Sequence, residues 1–367
     1  MSEMRAQVRP VGYPARLAGA WAAARAPRTI GAPTFVSTFA GCGGSSLGYA
    51  MAGYRELLAV EADRDACAAF RANFPGVPVH EGDIKALSGE AALAAAGVAP
   101  GELSVLDGSP PCQGFSASGK RRPGDLRNQL YHEFVRLLAA FRPRACVMEN
   151  VPGMASAKMA LFLRDATASI AAAGYRVRVW RLDAARFGVP QRRTRLIWIG
   201  TRDDLPTAPS PPAPGAARAV TVREAWRDLP ECEPGPALRG KGAIVAALIP
   251  QGGHNSSGRY SRRITGTTSW FNTFRLAWNR PSRTLAASWG DPAFQGVVHP
   301  NENRKPSIAE GKRLQSFPDE FALPADYAVA WRLIGNSVPP LMMESVAAHV
   351  ARLVDGSGGS PGLPRGP

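Results

Sequence analysis

The sequence is short of negative charge, of paired cysteines and of long apolar runs, and each shortage removes a class of function. Only 29 Asp and Glu stand against 44 Lys and Arg, a formal net charge of +15, with an isoelectric point near 10.3. Such a surplus repels itself and is drawn to phosphate, so a polyanionic partner, nucleic acid first, is expected. A general bias toward basic residues would give the same number. The five cysteines, Cys42, Cys67, Cys112, Cys146 and Cys232, are odd in number, form no CxxC pair and have no His at metal-ligand spacing. A disulfide framework and a structural zinc site are therefore not expected, and no metal is called for. No apolar run approaches the roughly 20 residues that span a bilayer, and the Arg-rich start lacks the apolar core of a signal peptide. A soluble, cytoplasmic protein with no membrane partner is the expectation. Few Lys beside abundant Ala, Arg, Gly and Pro point to a GC-rich, bacterial source.

What is present is enough apolar content, 45% of 367 residues, for one large domain and a smaller one. Residues 1–30 are Ala/Arg/Pro-rich without steady periodicity and residues 355–367 are a Gly/Pro/Ser tail, so both are expected to be disordered. Between them TFVSTFA, ELLAVEA, SVLDGSP and ACVMENV are apolar runs that each end in polar residues, with helical stretches such as LYHEFVRLLAAF between them. Alternating strands and helices with chemistry at the strand ends predict an α/β fold with a doubly wound, mostly parallel, Rossmann-like sheet. Its ligand crevice lies outside the carboxyl ends of the strands. The proline-rich segment PTAPSPPAPGAAR at 206–218 reads as a connection.

Two strand ends carry recognisable chemistry. FAGCGG after the first strand lets a backbone turn tightly and approach a nucleotide-type ligand, although a glycine-rich turn can be a tight connection and nothing more. Glu61, twenty positions after Gly41, is placed to accept from ribose hydroxyls, or is a solvated surface residue. In GSPPCQGFS, Pro110 and Pro111 stiffen the approach to Cys112 and Gly114 follows it, which sets this cysteine apart from Cys67 and Cys146, read as core.

These segments, with ENV at 149–151, QRRTRLIWIG at 191–200 and RLIGNSVPP at 332–340, stand in an order and spacing that closely resembles the DNA (cytosine-5) methyltransferases, from about residue 34 to about 350. The resemblance weakens between about 205 and 275 and departs from the family at Ser37 and Thr38, where Asp-Leu is common. It implies a methyl transfer from S-adenosylmethionine, without a metal, to carbon 5 of a cytosine rotated out of double-stranded DNA. The implied domains are 31–204 for catalysis and cofactor, 205–325 for target recognition, and 326–354 returning to the catalytic domain. The cofactor residues it implies are Phe39, Gly41, Gly43, Gly44, Glu61, Asp83, Ile84, Pro111, Leu130, Asn336, Ser337 and Val338. A bacterial monomer, paired with a restriction endonuclease or acting as an orphan, is the expected context.

Cytosine carbon 5 is a poor nucleophile, and the family first adds a thiolate to carbon 6. Cys112 matches that nucleophile; a free thiol of pKa about 8.5 needs local help to ionise. Glu149, at a strand end after ACVM, is the candidate proton donor to ring nitrogen 3, with partial burial expected to raise its pKa. Arg193 and Arg195 alternate onto one strand face, Arg195 suiting the carbonyl oxygen at position 2, unless the strand is a plain phosphate-binding face. Asn150 is read as orienting the loop.

For DNA, the glycine-hinged segment 113–128 offers Ser118, which resembles the family residue that enters the space left by the flipped base, and Lys120, Arg121, Arg122 and Arg127 for phosphates. In the recognition region Arg259, Arg262, Arg263 and Arg275 are taken as DNA-facing and most aromatics as core. GKRLQSFPDEF at 311–321 matches a family segment that supports this region. The rival readings are the tRNA-methylating branch, whose Cys-Phe-Thr is replaced here by Cys232-Glu233-Pro234, and a silent DNA-binding protein, against which the intact Cys112, Glu149 and Arg195 argue.

Overall fold

The computed structural model describes residues 12–111, 130–155, 160–216, 218–255, 258–268, 273–290 and 296–356. In chain order the strands are β1 (Thr34–Thr38), β2 (Arg55–Glu61), β3 (Val79–Glu81), β4 (Val105–Gly108), β5 (Ala145–Asn150), β6 (Tyr175–Asp183), β7 (Gln191–Arg192), β8 (Thr194–Arg202), β9 (Phe274–Arg275), β10 (Ser282–Arg283) and β11 (Val297–Val298). The helices are α1 (Tyr13–Arg25), α2 (Gly44–Met51), α3 (Arg64–Asn73), α4 (Gly89–Ala96), α5 (Tyr131–Phe141), α6 (Ala160–Ala172), α7 (Val222–Ala225), α8 (Gly240–Leu248), α9 (Arg259–Thr265), α10 (Ile308–Leu314), α11 (Tyr327–Asn336) and α12 (Pro340–Val354).

Seven strands form one sheet in the order β3-β2-β1-β4-β5-β8-β6, and the predicted α/β doubly wound architecture is what the chain adopts. Neighbours from β3 to β5 are parallel, whereas β8 runs antiparallel to both β5 and β6. Alternation along each strand divides the core in two. On β5, Ala145 and Val147 join the cluster under α2 and α12, while Cys146 and Met148 join the one under α4 and α5. Strand order reverses between β1 and β4, so the crevice opens where FAGCGG and GSPP begin.

The N-terminal stretch departs from expectation. Tyr13–Arg25 is helical, begins with Pro at its first turn, and buries Tyr13 and Leu17. The Tyr13 hydroxyl donates to the Arg313 carbonyl at 2.7 Å, and Arg28 donates to the Ala24 and Ala50 carbonyls. An Ala-rich helix with a weak apolar face is hard to read from periodicity, because alanine packs on any side. Two parallel two-stranded pairs, β7 with β10 and β9 with β11, lie outside the main sheet. Among the described residues no helix is long and apolar enough to cross a membrane.

Candidate active site

At the carboxyl end of β1 the chain turns through left-handed conformations at Phe39 (φ 55°), Gly41 (58°) and Gly43 (97°). At Gly43 a Cβ would also meet the Phe74 ring at 2.4 Å, and at Gly44 it would meet the Val338 carbonyl oxygen at 2.6 Å. These glycines therefore let the turn press against α3 and against the 336–338 segment. Glu61 holds the turn from the end of β2: Oε2 accepts from the Gly41 amide at 2.7 Å, and Oε1 from the Ala62 and Asp63 amides at 2.7 and 2.8 Å. A carboxylate has about four acceptor positions. One on Oε2 is left over, and Glu61 is not a freely solvated side chain.

Behind the turn lie two carboxyls that the sequence reading missed. Asp107 on β4 accepts from the Ser45 hydroxyl at 2.8 Å and from Tyr49 at 3.3 Å, while Glu56 on β2 accepts from Ser46 at 3.0 Å and from Ser37. Ser37, the departure from the family pattern, thus has an acid brought to it from the neighbouring strand. Burial pushes Asp107 up to about 7 and Glu56 up to about 8, against the hydrogen bonds from their serine partners. The available signal was an acid inside the apolar run VLDG.

A cavity of about 410 Å³ gathers most of the expected residues. Phe39, Gly41, Gly44 and Glu61 line one side, Asn336, Ser337 and Val338 another, and Pro111, Glu149, Arg193 and Arg195 the rest. Gly43 serves as the N-cap of α2 and does not line it. Asp83 and Ile84 also stand off the cavity wall: Asp83 is exposed and caps a short turn by accepting from the Lys85 amide, and Ile84 is buried in the cluster on which Phe39 and Leu130 pack. Arg332, which no sequence pattern singled out, lines the cavity and pairs with Asp63 and, at 2.7 Å, with Asp65, joining α11 to the start of α3.

Glu149 and Arg195 meet in the cavity wall, Arg195 Nε standing 2.6 Å from Glu149 Oε1, with both side chains about nine-tenths buried. The antiparallel register of β5 on β8 places them, pairing Glu149 with Ile197, two residues beyond Arg195. Burial lowers the proton affinity of Arg195, and the Glu149 charge opposes this. Partial burial of Glu149 was expected; its cationic partner was not. Asn150 donates to the Pro110 carbonyl at 3.0 Å and accepts from the Val151 amide, so it does orient the prolyl loop.

Arg193 lines the cavity, with most of its donors already engaged. It is 1% exposed, and its terminal nitrogens donate to the Leu285 and Gly335 carbonyls at 3.0 and 2.8 Å. A guanidinium whose terminal nitrogens are both held by backbone carbonyls braces the cavity wall, while its buried Nε is left without a hydrogen-bond partner among the described residues. Burial, then the nearby Arg195, drive its proton affinity well down.

Cys112, Ser118, Lys120, Arg121, Arg122 and Arg127 lie outside the described residues. Of the recognition-region arginines, Arg259, Arg262 and Arg263 are exposed on α9. Arg275 is not: its buried guanidinium donates to the Ala246, Ile249, His299 and Glu302 carbonyls and to Asn303, so its expected DNA contact is withdrawn. Counting arginines in a basic region cannot tell a fork aimed at phosphate from one closing a loop. The aromatics Phe274 and Trp278 are structural, Trp278 meeting Trp226 and His299 edge-on, while Trp270 and Phe271 fall outside the described residues. Arg313 of the GKRLQSFPDEF segment binds Asp319 at 2.6 Å and the Ala225 carbonyl, bracing α7.

A family model described as C-5 cytosine-specific DNA methylase matches residues 33–352. Curated relatives include Type II methyltransferase M.XorII of Xanthomonas oryzae pv. oryzae, 32% identical over 87% of this chain and 85% of its own length. Type II methyltransferase M1.HphI of Haemophilus parahaemolyticus is 32% identical, covering 87% of each. Among solved structures, a prophage-encoded E. coli protein assigned as a DNA modification methyltransferase superposes with a TM-score of 0.71 at 25% identity, over 88% of this chain and 99% of that one. DNMT2 of Spodoptera frugiperda, at 17% identity and a TM-score of 0.61 over 88% and 99%, shares the fold.

Proposed function

The chain belongs to the C-5 cytosine-specific DNA methylase family, and we propose on that premise that it methylates carbon 5 of a flipped cytosine in duplex DNA by way of a covalent adduct with Cys112. The carrying observation is that the Glu149–Arg195 pair, the glycine turn and Pro111, directly preceding Cys112, share one cavity. Its volume, about 410 Å³, falls in the usual range of small-molecule sites, about 300 to 1,000 Å³.

The residues fit S-adenosylmethionine. Gly44 is bare where a side chain would close the gap to Val338, and Glu61 keeps an acceptor position for a ribose hydroxyl. Phe39 supplies apolar surface on the wall with Ile84 and Leu130 packed in the cluster behind it, Asn336, Ser337 and Val338 supply another wall, and Asp83, exposed beyond the wall, is the acceptor proposed for an adenine amino group. When bound, the group supplies an electrophilic methyl on a sulfonium.

The Cys112 thiolate attacks carbon 6, and electron density moves toward ring nitrogen 3, where Glu149 holds a proton or hydrogen bond. Arg195 donates to the oxygen at position 2 while keeping Glu149 in place. Carbon 5 gains the methyl, its proton leaves to a base, and the carbon–sulfur bond to Cys112 breaks. Residues 205–325 read the target, with Arg259, Arg262 and Arg263 facing DNA, and Ser118, Lys120, Arg121 and Arg127 contact the DNA around the flipped base. The protein works as a cytoplasmic monomer beside a cognate restriction endonuclease.

Incubation with labelled S-adenosylmethionine and either duplex DNA or tRNA tests the reading. Label in 5-methylcytosine of DNA, absent with Cys112→Ala while DNA and cofactor still bind, is expected. Label confined to tRNA, or undiminished turnover in Cys112→Ala, rules it out.

A further inference from the structure

Between the recognition region and the 335–338 wall of the cavity lies a continuous buried polar chain that the proposed chemistry does not use. The Leu285 amide donates to Gln191 Oε1 at 3.0 Å. Gln191 Nε2 donates to the Leu314 carbonyl at 3.2 Å and to Gln315 Oε1, and Gln315 Nε2 donates to the Ser337 carbonyl. Arg193 runs beside this chain, joining the Leu285 and Gly335 carbonyls. Gln191 and Gln315 are both 0% exposed.

The surroundings make this chain stiff. The Ser282 amide donates to the Pro190 carbonyl at 2.8 Å, and β10 pairs with β7 over Ser282–Gln191 and Arg283–Arg192. Trp331 Nε1 donates to the Ala286 carbonyl at 3.1 Å. At Gly335 a Cβ would lie 2.5 Å from Ala287 backbone atoms, so α11 rests directly on the 286–287 backbone. A displacement of 282–287 therefore moves the carbonyls of Gly335 and Ser337 or breaks a buried hydrogen bond, which is expensive where no water replaces it.

We infer that Gln191 and Gln315 are positioning residues that couple DNA engagement by the recognition region to the closeness of the 335–338 wall around the cofactor. The amides suit this because each donates and accepts at once, passing an orientation from one backbone to the next. Coupling of this kind is reciprocal: duplex tightens S-adenosylmethionine binding by the factor by which the cofactor tightens duplex binding.

The inference rests on the methyltransferase reading, and its test keeps the two apart. Cofactor affinity is measured by calorimetry on the full chain, with and without saturating cognate duplex, for wild type, Gln315→Met and Gln191→Met. The methionines keep volume and remove the hydrogen bonds. A wild-type ratio of about 5-fold or more, the lower end of usual couplings, is expected to fall toward one in both variants. Binding to each ligand alone should change less than the ratio does. A purely structural role would weaken both affinities and leave the ratio intact, and that result, or a wild-type ratio of one, overturns the coupling. Should one variant fail to fold, the other decides. Failure of wild type to bind cofactor at all refutes the underlying function instead.

Discussion

At the scale of single residues, the Glu149–Arg195 pair sets the behaviour of the site. Two side chains about nine-tenths buried and 2.6 Å apart hold each other in place. Removing one leaves the other buried alone, a change that typically costs about 3 to 5 kcal/mol. Glu149→Gln is therefore expected to lower both thermal stability and turnover. Measured well below its melting temperature, kcat should fall by about 100-fold to 10,000-fold, the usual contribution of a general acid, with cofactor affinity nearly unchanged. Wild-type turnover in a folded Glu149→Gln protein would reduce Glu149 to a structural counter-ion. Asp107 and Glu56 carry a pH dependence. Their folded pKa values, about 7 and about 8, lie above the ordinary 3.8 and 4.5. The folded state keeps protons that the unfolded chain releases, so their contribution is intact below about pH 4 and is lost as pH rises toward 7 to 8. Denaturant titrations at pH 5 and pH 8 should show a smaller loss for Asp107→Asn than for wild type. An equal loss in both would mean that Asp107 titrates normally.

At the scale of elements, α1 and α9 make opposite predictions. Helix α1 lies outside residues 33–352 that the family model matches, yet it buries Leu17 to 2% exposure and pairs Trp21 with Phe321 at 6.2 Å. Leu17→Ala should cost about 2 to 5 kcal/mol in urea unfolding, the range for a buried leucine. A loose N-terminal extension would lose nothing. Helix α9 presents Arg259, Arg262 and Arg263 to solvent, whereas Arg275 on β9 closes loops from inside. Alanine at any of the three should leave the melting temperature within a degree or so of wild type while weakening duplex binding. A base reader relaxes one position of the target at a cost of about 1 to 3 kcal/mol, and a phosphate contact lowers the salt slope by about one. Arg275→Met should instead destabilise the fold. If α9 substitutions leave duplex binding untouched, recognition belongs to another surface.

At the scale of the whole molecule, Arg275 also decides where a recognition module can be cut. Its partners Ala246 and Ile249 lie within 219–280, but His299, Glu302 and Asn303 lie beyond it. An exchange of 219–280 with a relative of different target would sever this knot, while an exchange of 219–303 carries it intact. The longer chimera is expected to fold and to methylate the donor's sequence, scored by protection of each site from cleavage. An active longer chimera that still modifies the parent's sequence would show that specificity resides outside the segment.

The amino-acid sequence alone determined the sheet class and most of the cavity, because both rest on local patterns: apolar runs ending in Gly, Pro or acid fix where strands stop, and strand ends share one edge of a parallel sheet. Phe39, Gly44, Glu61, Glu149, Arg195 and the 336–338 segment were legible for that reason. What α1 packs on, which carboxyl serves Ser37 and which arginines face inward were settled by tertiary structure. Alanine is apolar on every side of a helix, so periodicity cannot orient α1. Arg275 carries the same charge and donors as any exposed arginine, and only the carbonyls of residues such as Ala246, His299 and Glu302, brought from distant points in the chain, turn it from a ligand contact into a support.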